Sequence, residues 1–384
     1  MELINTNEKF ANFCKILENQ KFITVDSEFL REHYYYPMLC LLQVGYDGGA
    51  AVIDPIANLD MTPFFAILDN ADIVKVFHAG KQDVEIFYNL TGKLPNNIFD
   101  TQIAAMVCGF GENVSYGTLV KSITGVELDK SCRLTDWSIR PLDEEQVNYA
   151  ANDVTYLVDC YKYIINYLEE NKRTDWIKEE MLNAYDEKYY HIEAENSWQR
   201  IHNSIRSPKF LTALKYLAMW REKRAQKFNT PRQSIIRDDV LVNLASVRPL
   251  NVDDLKQVRN LKNDVIKGKL GAEIIEALQK AEKNPMSAEE CKISKTKDIN
   301  IPNQEHNLME VLYMLLHIQS QEHSVVAKLV ASENDLRYFV RGEDDKTGIL
   351  RGWRYEIFGQ YALKLRSGEL SISYNPQKKR IIIT

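Results

Sequence analysis

Residues 21–29 have the sequence KFITVDSEF, which predicts a β-strand that carries two acids. Asp26 and Glu28 lie two positions apart, so the period of a strand places both carboxylates on one face of a sheet. Val25 and Phe29 belong to the other face, which is apolar. Carboxylates that face a core are costly unless they are paired or bound to a metal, whereas a solvated face would need no such explanation.

The residues after this strand predict an α/β fold with an antiparallel start. Residues 39–46 and 50–53 are rich in apolar and β-branched side chains, and short turn-like stretches separate the three predicted strands. A helix over residues 61–68, a strand over 73–78 and a helix that begins at Gly80 follow. This order is that of an α/β domain that is not doubly wound from its first strand.

A long helix is predicted to begin after Asp143, which can cap it, and Gln146 has the capping-box spacing. Apolar residues then recur every three or four positions to about residue 168. Tyr149 and Asp153 lie four apart and therefore share a face of this helix, although such a pair is also common in ordinary helices.

Four acids and a tyrosine from separate elements could meet in one metal site. Asp83 lies on the first turn of the helix that begins at Gly80, where a carboxylate also suits the helix dipole. The sequence has no C-x-x-C pair and no H-E-x-x-H motif, so carboxylates are the expected ligands. Mg²⁺ prefers oxygen ligands, and two such ions about 4 Å apart can stabilise the attacking and leaving oxygens of a phosphodiester.

Charge divides the 384 residues into an acidic half and a basic half. Residues 1–200 hold 17 basic and 32 acidic side chains, whereas residues 201–384 hold 31 basic and 22 acidic ones. A basic module can bind a polyanion such as nucleic acid, and an acidic module could do so with cations between its carboxylates and the phosphates. Two solvated faces would explain the same division.

Three motifs resemble those of ribonuclease D, a DEDD exonuclease of the subclass with a tyrosine. Residues 25–29 (VDSEF), 35–37 (YYP) and 41–44 (LLQV) are similar to its first motif, 77–83 (FHAGKQD) to its second and 149–153 (YAAND) to its third. The segments LDKS, TDW and RPL within residues 128–142 are also similar to that family. The resemblance implies an α/β, ribonuclease H-like exonuclease domain with a mixed sheet flanked by helices.

The resemblance also implies the roles of individual residues. Two divalent cations, Mg²⁺ or Mn²⁺, would be held by four acids: Asp26, Glu28, Asp83 and Asp153. Tyr149 would orient or help to deprotonate the attacking water, and nucleoside 5′-monophosphates would leave from a 3′ end.

Three further residues are candidates for binding substrate. Lys130 and Arg133 could contact phosphates, or could belong to an ordinary surface loop. Gln43 could contact the terminal nucleotide. Leu42 could also contact the terminal nucleotide, but we favour a place for it in the hydrophobic core.

Beyond the exonuclease domain, two all-α domains similar to HRDC domains, helical nucleic-acid-binding units, are expected. The predicted boundaries are residues 1–170 for the exonuclease domain, 171–205 for a helical connector rather than a packed unit, 206–285 for the HRDC domain and 300–384 for a second HRDC-like domain. The last domain is predicted to close with a β-hairpin over residues 370–384. Its Trp353 and Arg354 could stack on bases and contact phosphates, or lie on a rim of ordinary surface charge.

The function that the family resemblance implies is 3′→5′ trimming of structured RNA, tRNA precursors above all. A DNA exonuclease of related fold and a catalytically silent RNA-binding adaptor are the alternatives. Six singly spaced cysteines, the absence of an apolar run of about 18 residues and the absence of a leader-like N-terminus predict a cytoplasmic protein with no membrane contact. We expect a monomer with no small-molecule cofactor.

Overall fold

The computed structural model describes residues 2–129, 131–132, 135–205, 207–292 and 299–384. Its first part contains β1 (Glu2–Ile4), α1 (Asn7–Leu17), β2 (Phe22–Leu30), β3 (Met38–Tyr46), β4 (Gly49–Ile53), α2 (Thr62–Asp69), β5 (Val74–Phe77), α3 (Lys81–Thr91), β6 (Ile98–Asp100), α4 (Thr101–Val107), α5 (Tyr116–Thr124), α6 (Glu144–Glu170) and α7 (Thr174–Ala184). Short 3₁₀ turns occupy Pro55–Ala57, Glu187–Tyr189 and Ala194–Arg200. The strands predicted over residues 21–53 and 73–78 are confirmed.

The strands of the described residues form a six-stranded mixed sheet in the order β1-β4-β3-β2-β5-β6. β2, β3 and β4 pair antiparallel through short connections, which confirms the predicted meander. β5 pairs parallel with β2, and β6 pairs parallel with β5, because helical crossovers return the chain to the same end of the sheet. β1 and β6 were not predicted, since three residues are too few for a periodic pattern.

The long helix α6 packs against the sheet and brings Asp153 close to β2. It begins with the predicted capping box, in which the Asp143 side chain accepts from the Gln146 backbone N–H and the Gln146 side chain accepts from the Asp143 N–H. The Thr24 hydroxyl of β2 donates to the Val154 carbonyl at 2.8 Å. A Cβ atom on Gly45 of β3 would lie only 2.8 Å from that carbonyl oxygen, so glycine is what allows the helix to approach so closely.

The segment 171–205 packs on both of its neighbours, so the expectation of an unpacked connector is wrong. Ile177, Met181 and Tyr185 follow one another at intervals of four and enter the same hydrophobic core as the sheet. Trp198 and Ile201 are buried instead in the core of the helices that follow. This segment therefore belongs to two cores at once.

Two helical modules complete the chain. The first helical module contains α8 (Pro208–Phe228), α9 (Arg232–Ile235), α10 (Asp238–Val247), α11 (Asn263–Lys267) and α12 (Lys269–Lys283). The second helical module contains α13 (His306–Glu322), α14 (Ala327–Val330), α15 (Glu333–Val340), α16 (Gly352–Arg354), α17 (Gln360–Ser367), β7 (Ile372–Asn375) and β8 (Arg380–Ile383). Each module has its own apolar core, and β7 and β8 confirm the predicted hairpin.

The second helical module docks on α7. The indole rings of Trp353 and Trp176 stack with centroids 4.6 Å apart and planes 13° from parallel. The Arg354 guanidinium donates to the carboxylate of Glu180, which is itself buried. Trp353 is only 5% exposed, so neither interpretation of Trp353 and Arg354 from the sequence is right: these residues form a contact between two parts of the chain.

Candidate active site

Three of the predicted acids converge where α6 crosses β2. The carboxylates of Asp26, Glu28 and Asp153 each offer one oxygen, and these oxygens all lie within 4.8 Å of one another. Asp26 and Glu28 occupy alternate positions of β2, and Asp153 lies in the third turn of α6. Carboxylate oxygens gathered at this separation are the ligands that a hard divalent cation prefers.

The fourth acid, Asp83, lies close to this group but is not one of its three members. It is buried in the first turn of α3, and its Oδ1 atom accepts a hydrogen bond from the Ser27 hydroxyl of β2. Its charge contributes to the raised pKa of both Asp26 and Glu28, so its carboxylate acts on the same site. That Asp83 binds a metal ion stays a prediction.

Burial raises the pKa of all four carboxyl groups. For Asp26, burial and then the charges of Asp83, Asp153 and Glu28 raise the pKa well above its usual value. Burial and the two neighbouring aspartates raise the pKa of Glu28 to about 8, and burial raises that of Asp153 to about 7. For Asp83, burial raises the pKa to about 6, against the hydrogen bond from Ser27, which lowers it. A cation would relieve this repulsion, so the residues fit divalent metal ions.

Tyr149 lies one helical turn before Asp153 on the same face of α6. Its ring packs against the indole of Trp137, with centroids 6.1 Å apart and planes 30° from parallel. Trp137 is buried with Leu41 and Ala150 in a small cluster between β3 and α6. The phenol is therefore held by apolar neighbours on one side while it stays partly exposed, as a group that must meet a substrate requires.

Asp100 is a buried residue that sequence reasoning missed and that fixes the position of Asp83. It lies at the end of β6 and accepts hydrogen bonds from the backbone N–H groups of Ala79 at 3.0 Å and Gly80 at 3.1 Å. Ala79 has a positive φ of 57°, which is costly for a residue with a Cβ. The Tyr185 hydroxyl also donates to Asp100, so this carboxylate holds the turn from which α3 and Asp83 start.

The candidate substrate-binding residues are in less accessible places. Gln43 lies opposite Asp26 in the β2–β3 register and is 0% exposed, so its side chain is not open to a nucleotide in this structure. Its amide oxygen and nitrogen are both buried and have no hydrogen-bond partner among the described residues, and its contact with the terminal nucleotide stays a prediction. Leu42 is also 0% exposed and lies in the core, as favoured. Lys130 and Arg133 lie outside the described residues, so their roles stay predictions.

The chain matches two protein families. Residues 1–169 match the 3′-5′ exonuclease family, and residues 210–278 match the HRDC domain family. The fold, the carboxylate site and these matches define the class of protein: a nuclease hydrolase with a 3′–5′ exonuclease domain followed by a nucleic-acid-binding helical domain. The HRDC match does not extend to residues 300–384, so the second HRDC-like domain stays a prediction.

Curated relatives narrow the class to one family. Ribonuclease D of Sphingobium indicum is 41% identical over 373 residues, which are 97% of this chain and 96% of that protein. Ribonuclease D of Zymomonas mobilis is 40% identical and covers all of this chain and 97% of its own. The chain belongs to the ribonuclease D family.

A solved structure agrees over nearly the whole chain. RNase D of Escherichia coli, described as an exoribonuclease involved in structured RNA processing, is 27% identical with a TM-score of 0.78 and covers 96% of this chain and 98% of its own. A protein from Bifidobacterium adolescentis, 21% identical with a TM-score of 0.71, covers 96% of this chain and 97% of its own and shares the fold. Among the described residues, no helix has the length and apolar composition that a membrane crossing requires.

Proposed function

We propose that this chain is a 3′→5′ exoribonuclease that trims the 3′ ends of structured RNA, tRNA precursors above all, by two-metal-ion hydrolysis. The observation that carries the proposal is the convergence of three carboxylates, whose oxygens lie within 4.8 Å of one another. One of them, Asp153, lies one helical turn from Tyr149 on α6. A solved relative that processes structured RNA supports the substrate class. The excess of basic residues in the second half of the sequence supports a polyanionic substrate.

The acids would hold the ions and the tyrosine would act on water. Asp26, Glu28 and Asp153 would bind Mg²⁺ or Mn²⁺, with Asp83 as a further ligand once it leaves its hydrogen bond to Ser27. Bound ions would supply the positive charge that stabilises the attacking and leaving oxygens of the phosphodiester. The Tyr149 hydroxyl would orient a water toward the scissile phosphate of the terminal nucleotide and help to remove its proton. As the water oxygen bonds to phosphorus, the bond from phosphorus to the 3′ oxygen of the preceding nucleotide would break. That oxygen would take up a proton, and a nucleoside 5′-monophosphate would leave.

A direct test is hydrolysis of a 3′-extended tRNA precursor with Mg²⁺ and with EDTA. We expect stepwise release of nucleoside 5′-monophosphates that EDTA abolishes. Asp26→Asn should lower the rate by more than about 100-fold, because loss of an outer-shell partner alone costs 10 to 100-fold in metal sites. Asp159→Asn is the matched control, since Asp159 is exposed on α6 and should leave the rate unchanged. Wild-type activity in Asp26→Asn would refute the catalytic assignment.

Matched RNA and DNA oligonucleotides of one sequence separate the proposal from its nearest rival. The metal site alone does not require a 2′-hydroxyl, so preference for RNA has to be measured. Faster hydrolysis of RNA would support an exoribonuclease. Equal or faster hydrolysis of DNA would make the chain a DNA exonuclease, and failure to shorten the tRNA precursor while RNA oligonucleotides are degraded would refute the proposed substrate.

We further propose a monomer that acts in the cytoplasm, with the domain boundaries predicted from the sequence. All six cysteines are free thiols, and five of them are buried, which suits a reducing compartment. The separate cores of the two helical modules support a division between them, although Trp198, Ile201 and Met286 extend the core of the first beyond residues 206–285. Light scattering of the purified protein measures the oligomeric state.

A further inference from the structure

The loop between β2 and β3 begins three residues after Glu28, and the first helical module binds it through side chains that are distant in the sequence. Residues 31–37 connect Leu30, the last residue of β2, to Met38, the first residue of β3. The Tyr35 hydroxyl donates to the carboxylate of Glu222 on α8, 187 positions further along the chain. The Tyr36 backbone N–H donates to Asn229 Oδ1 at 2.8 Å, where α8 ends. Two adjacent residues of the loop are thus bonded to one helix.

Glu222 and Arg232 make this contact strong. The Glu222 side chain is only 1% exposed, and a buried carboxylate is costly without partners. Arg232 donates to both of its oxygens, from Nε at 2.5 Å and from Nη2 at 2.6 Å, which is a bidentate pair. The same guanidinium donates to the Tyr35 hydroxyl at 3.0 Å and lies 4.7 Å from the centre of its ring. We call Tyr35, Glu222 and Arg232 the interdomain joint.

A further contact of the loop, with α3, is weaker. Arg31 pairs with Glu85 on α3, but their side chains are 43% and 29% exposed, and ion pairs in contact with water contribute little. The pairing of β2 with β3 is also irregular between Glu28 and Phe29, where the register shifts. Glu28 itself pairs with Leu41, but a β-bulge disrupts the ladder and re-aims side chains, so the strand is less regular from Glu28 onward. The loop that follows can then contribute to the position of Glu28.

We infer that Glu222 is a positioning residue for the reaction: through Tyr35 it holds loop 31–37, and thereby Glu28, in the catalytic arrangement. The first helical module then serves catalysis itself, in addition to any part in binding long RNA. This inference rests on the proposed function for its kinetic consequence, whereas the interdomain joint can be tested without any substrate. A substitution at Glu222 tests the positioning of the loop separately from the binding of long RNA, whereas deletion of the module would remove both.

The test compares Glu222→Gln with wild type on a short single-stranded RNA. We expect kcat to fall by about tenfold with KM unchanged, the lower end of the loss that follows when a partner of a metal ligand is removed, because Glu222 acts on Glu28 only through the loop. Hydrogen exchange of the Tyr36 amide should accelerate, because the loop loses its bond to a charged carboxylate and depends more on the bond from Tyr36 to Asn229. The matched control is Glu273→Gln on α12, which removes a charge from the ion pair with Arg224 at 2.8 Å inside the same module. That variant should change neither kcat nor exchange in residues 31–37.

Tyr35→Phe is the second variant, because Glu222→Gln could unfold the module. It removes only the hydroxyl on the loop side and leaves the Glu222–Arg232 pair intact, so the fold should survive with a lower kcat and faster exchange at Tyr36. Wild-type kcat in a folded variant whose loop exchange has increased would overturn the positioning role. Unchanged exchange at Tyr36 in both variants would overturn the interdomain joint. If wild type degrades no RNA, the proposed function fails, and the exchange result still decides whether the joint holds the loop.

Discussion

Asp153→Asn should stabilise the metal-free protein and at the same time abolish hydrolysis. Burial raises the pKa of Asp153 from 3.8 to about 7, and this rise corresponds to about 4 kcal/mol of unfavourable free energy when the group is ionised. The side chain keeps some contact with water, which reduces that figure, so we expect a gain of about 2 kcal/mol at pH 7.5. For a domain of this size the melting temperature should rise by roughly 4–8 °C.

The sign of the pH dependence follows from the same shift. The folded protein holds protons on Glu28 and Asp153 at pH values where the unfolded chain has already released them. Stability of the metal-free wild type should therefore fall as the pH rises from about 5 to about 8, and it should fall less steeply in Asp153→Asn. The stability that protonated Glu28 and Asp153 contribute is complete only below the ordinary pKa of a carboxyl group. It is lost as the pH rises through the raised pKa values of these two residues.

The assay is thermal unfolding in EDTA at pH 5.5 and pH 7.5, followed by near-ultraviolet circular dichroism. Asp159→Asn, on the exposed face of the same helix, is the control and should melt with wild type. Adding Mn²⁺ should raise the melting temperature of wild type more than that of Asp153→Asn, since the variant has lost a ligand. If Asp153→Asn melts at or below wild type in EDTA at pH 7.5, the idea of an electrostatically strained site is wrong.

Three other measurements test separate parts of the site. Mn²⁺ affinity, measured by calorimetry, should rise between about pH 6 and pH 8, because Glu28 and Asp153, with pKa values of about 8 and about 7, must lose protons to bind a cation; a flat profile would contradict this. Tyr149→Phe should lower kcat by about 100-fold with Mn²⁺ affinity unchanged, and an undiminished rate would remove the hydroxyl from the reaction. Arg237→Glu combined with Lys262→Glu, two exposed residues of the first helical module, should weaken binding of long RNA in gel-shift assays and flatten its salt dependence by about two counter-ions, and an unchanged slope would place the RNA elsewhere.

Features with a local physical cause could be predicted from the sequence. Alternation in residues 21–29 correctly placed Asp26 and Glu28 on one face of β2, and the Asp143 and Gln146 pair correctly marked the start of α6. Short turns also predicted the antiparallel meander. In each case the deciding interactions lie within a few residues of one another, so the pattern and the structure carry the same information.

Features that depend on distant contacts could not be predicted. Nothing near Tyr35 indicates that its hydroxyl meets Glu222, and nothing near Trp353 indicates that it stacks on Trp176. Nothing near Gln43 in the sequence indicates that its side chain is completely buried. Asp100 has a weak signal, as an acid at the end of a short strand, but its role depends on backbone groups that the topology brings to it.

The residues that violate the ordinary rules of a stable core lie where catalysis is proposed. Two other buried carboxylates have partners: Asp100 accepts from two backbone N–H groups and a tyrosine, and Glu222 has a bidentate arginine. At the candidate active site, burial and the charges of neighbouring carboxylates raise the pKa of Asp26 and Glu28, and burial raises the pKa of Asp153. Natural sequences tolerate such conflicts mainly at functional sites, because the unsatisfied charge is what binds the ligand. The same reasoning would account for the division of charge along the chain, if the acidic half approaches RNA through cations while the basic half attracts it directly.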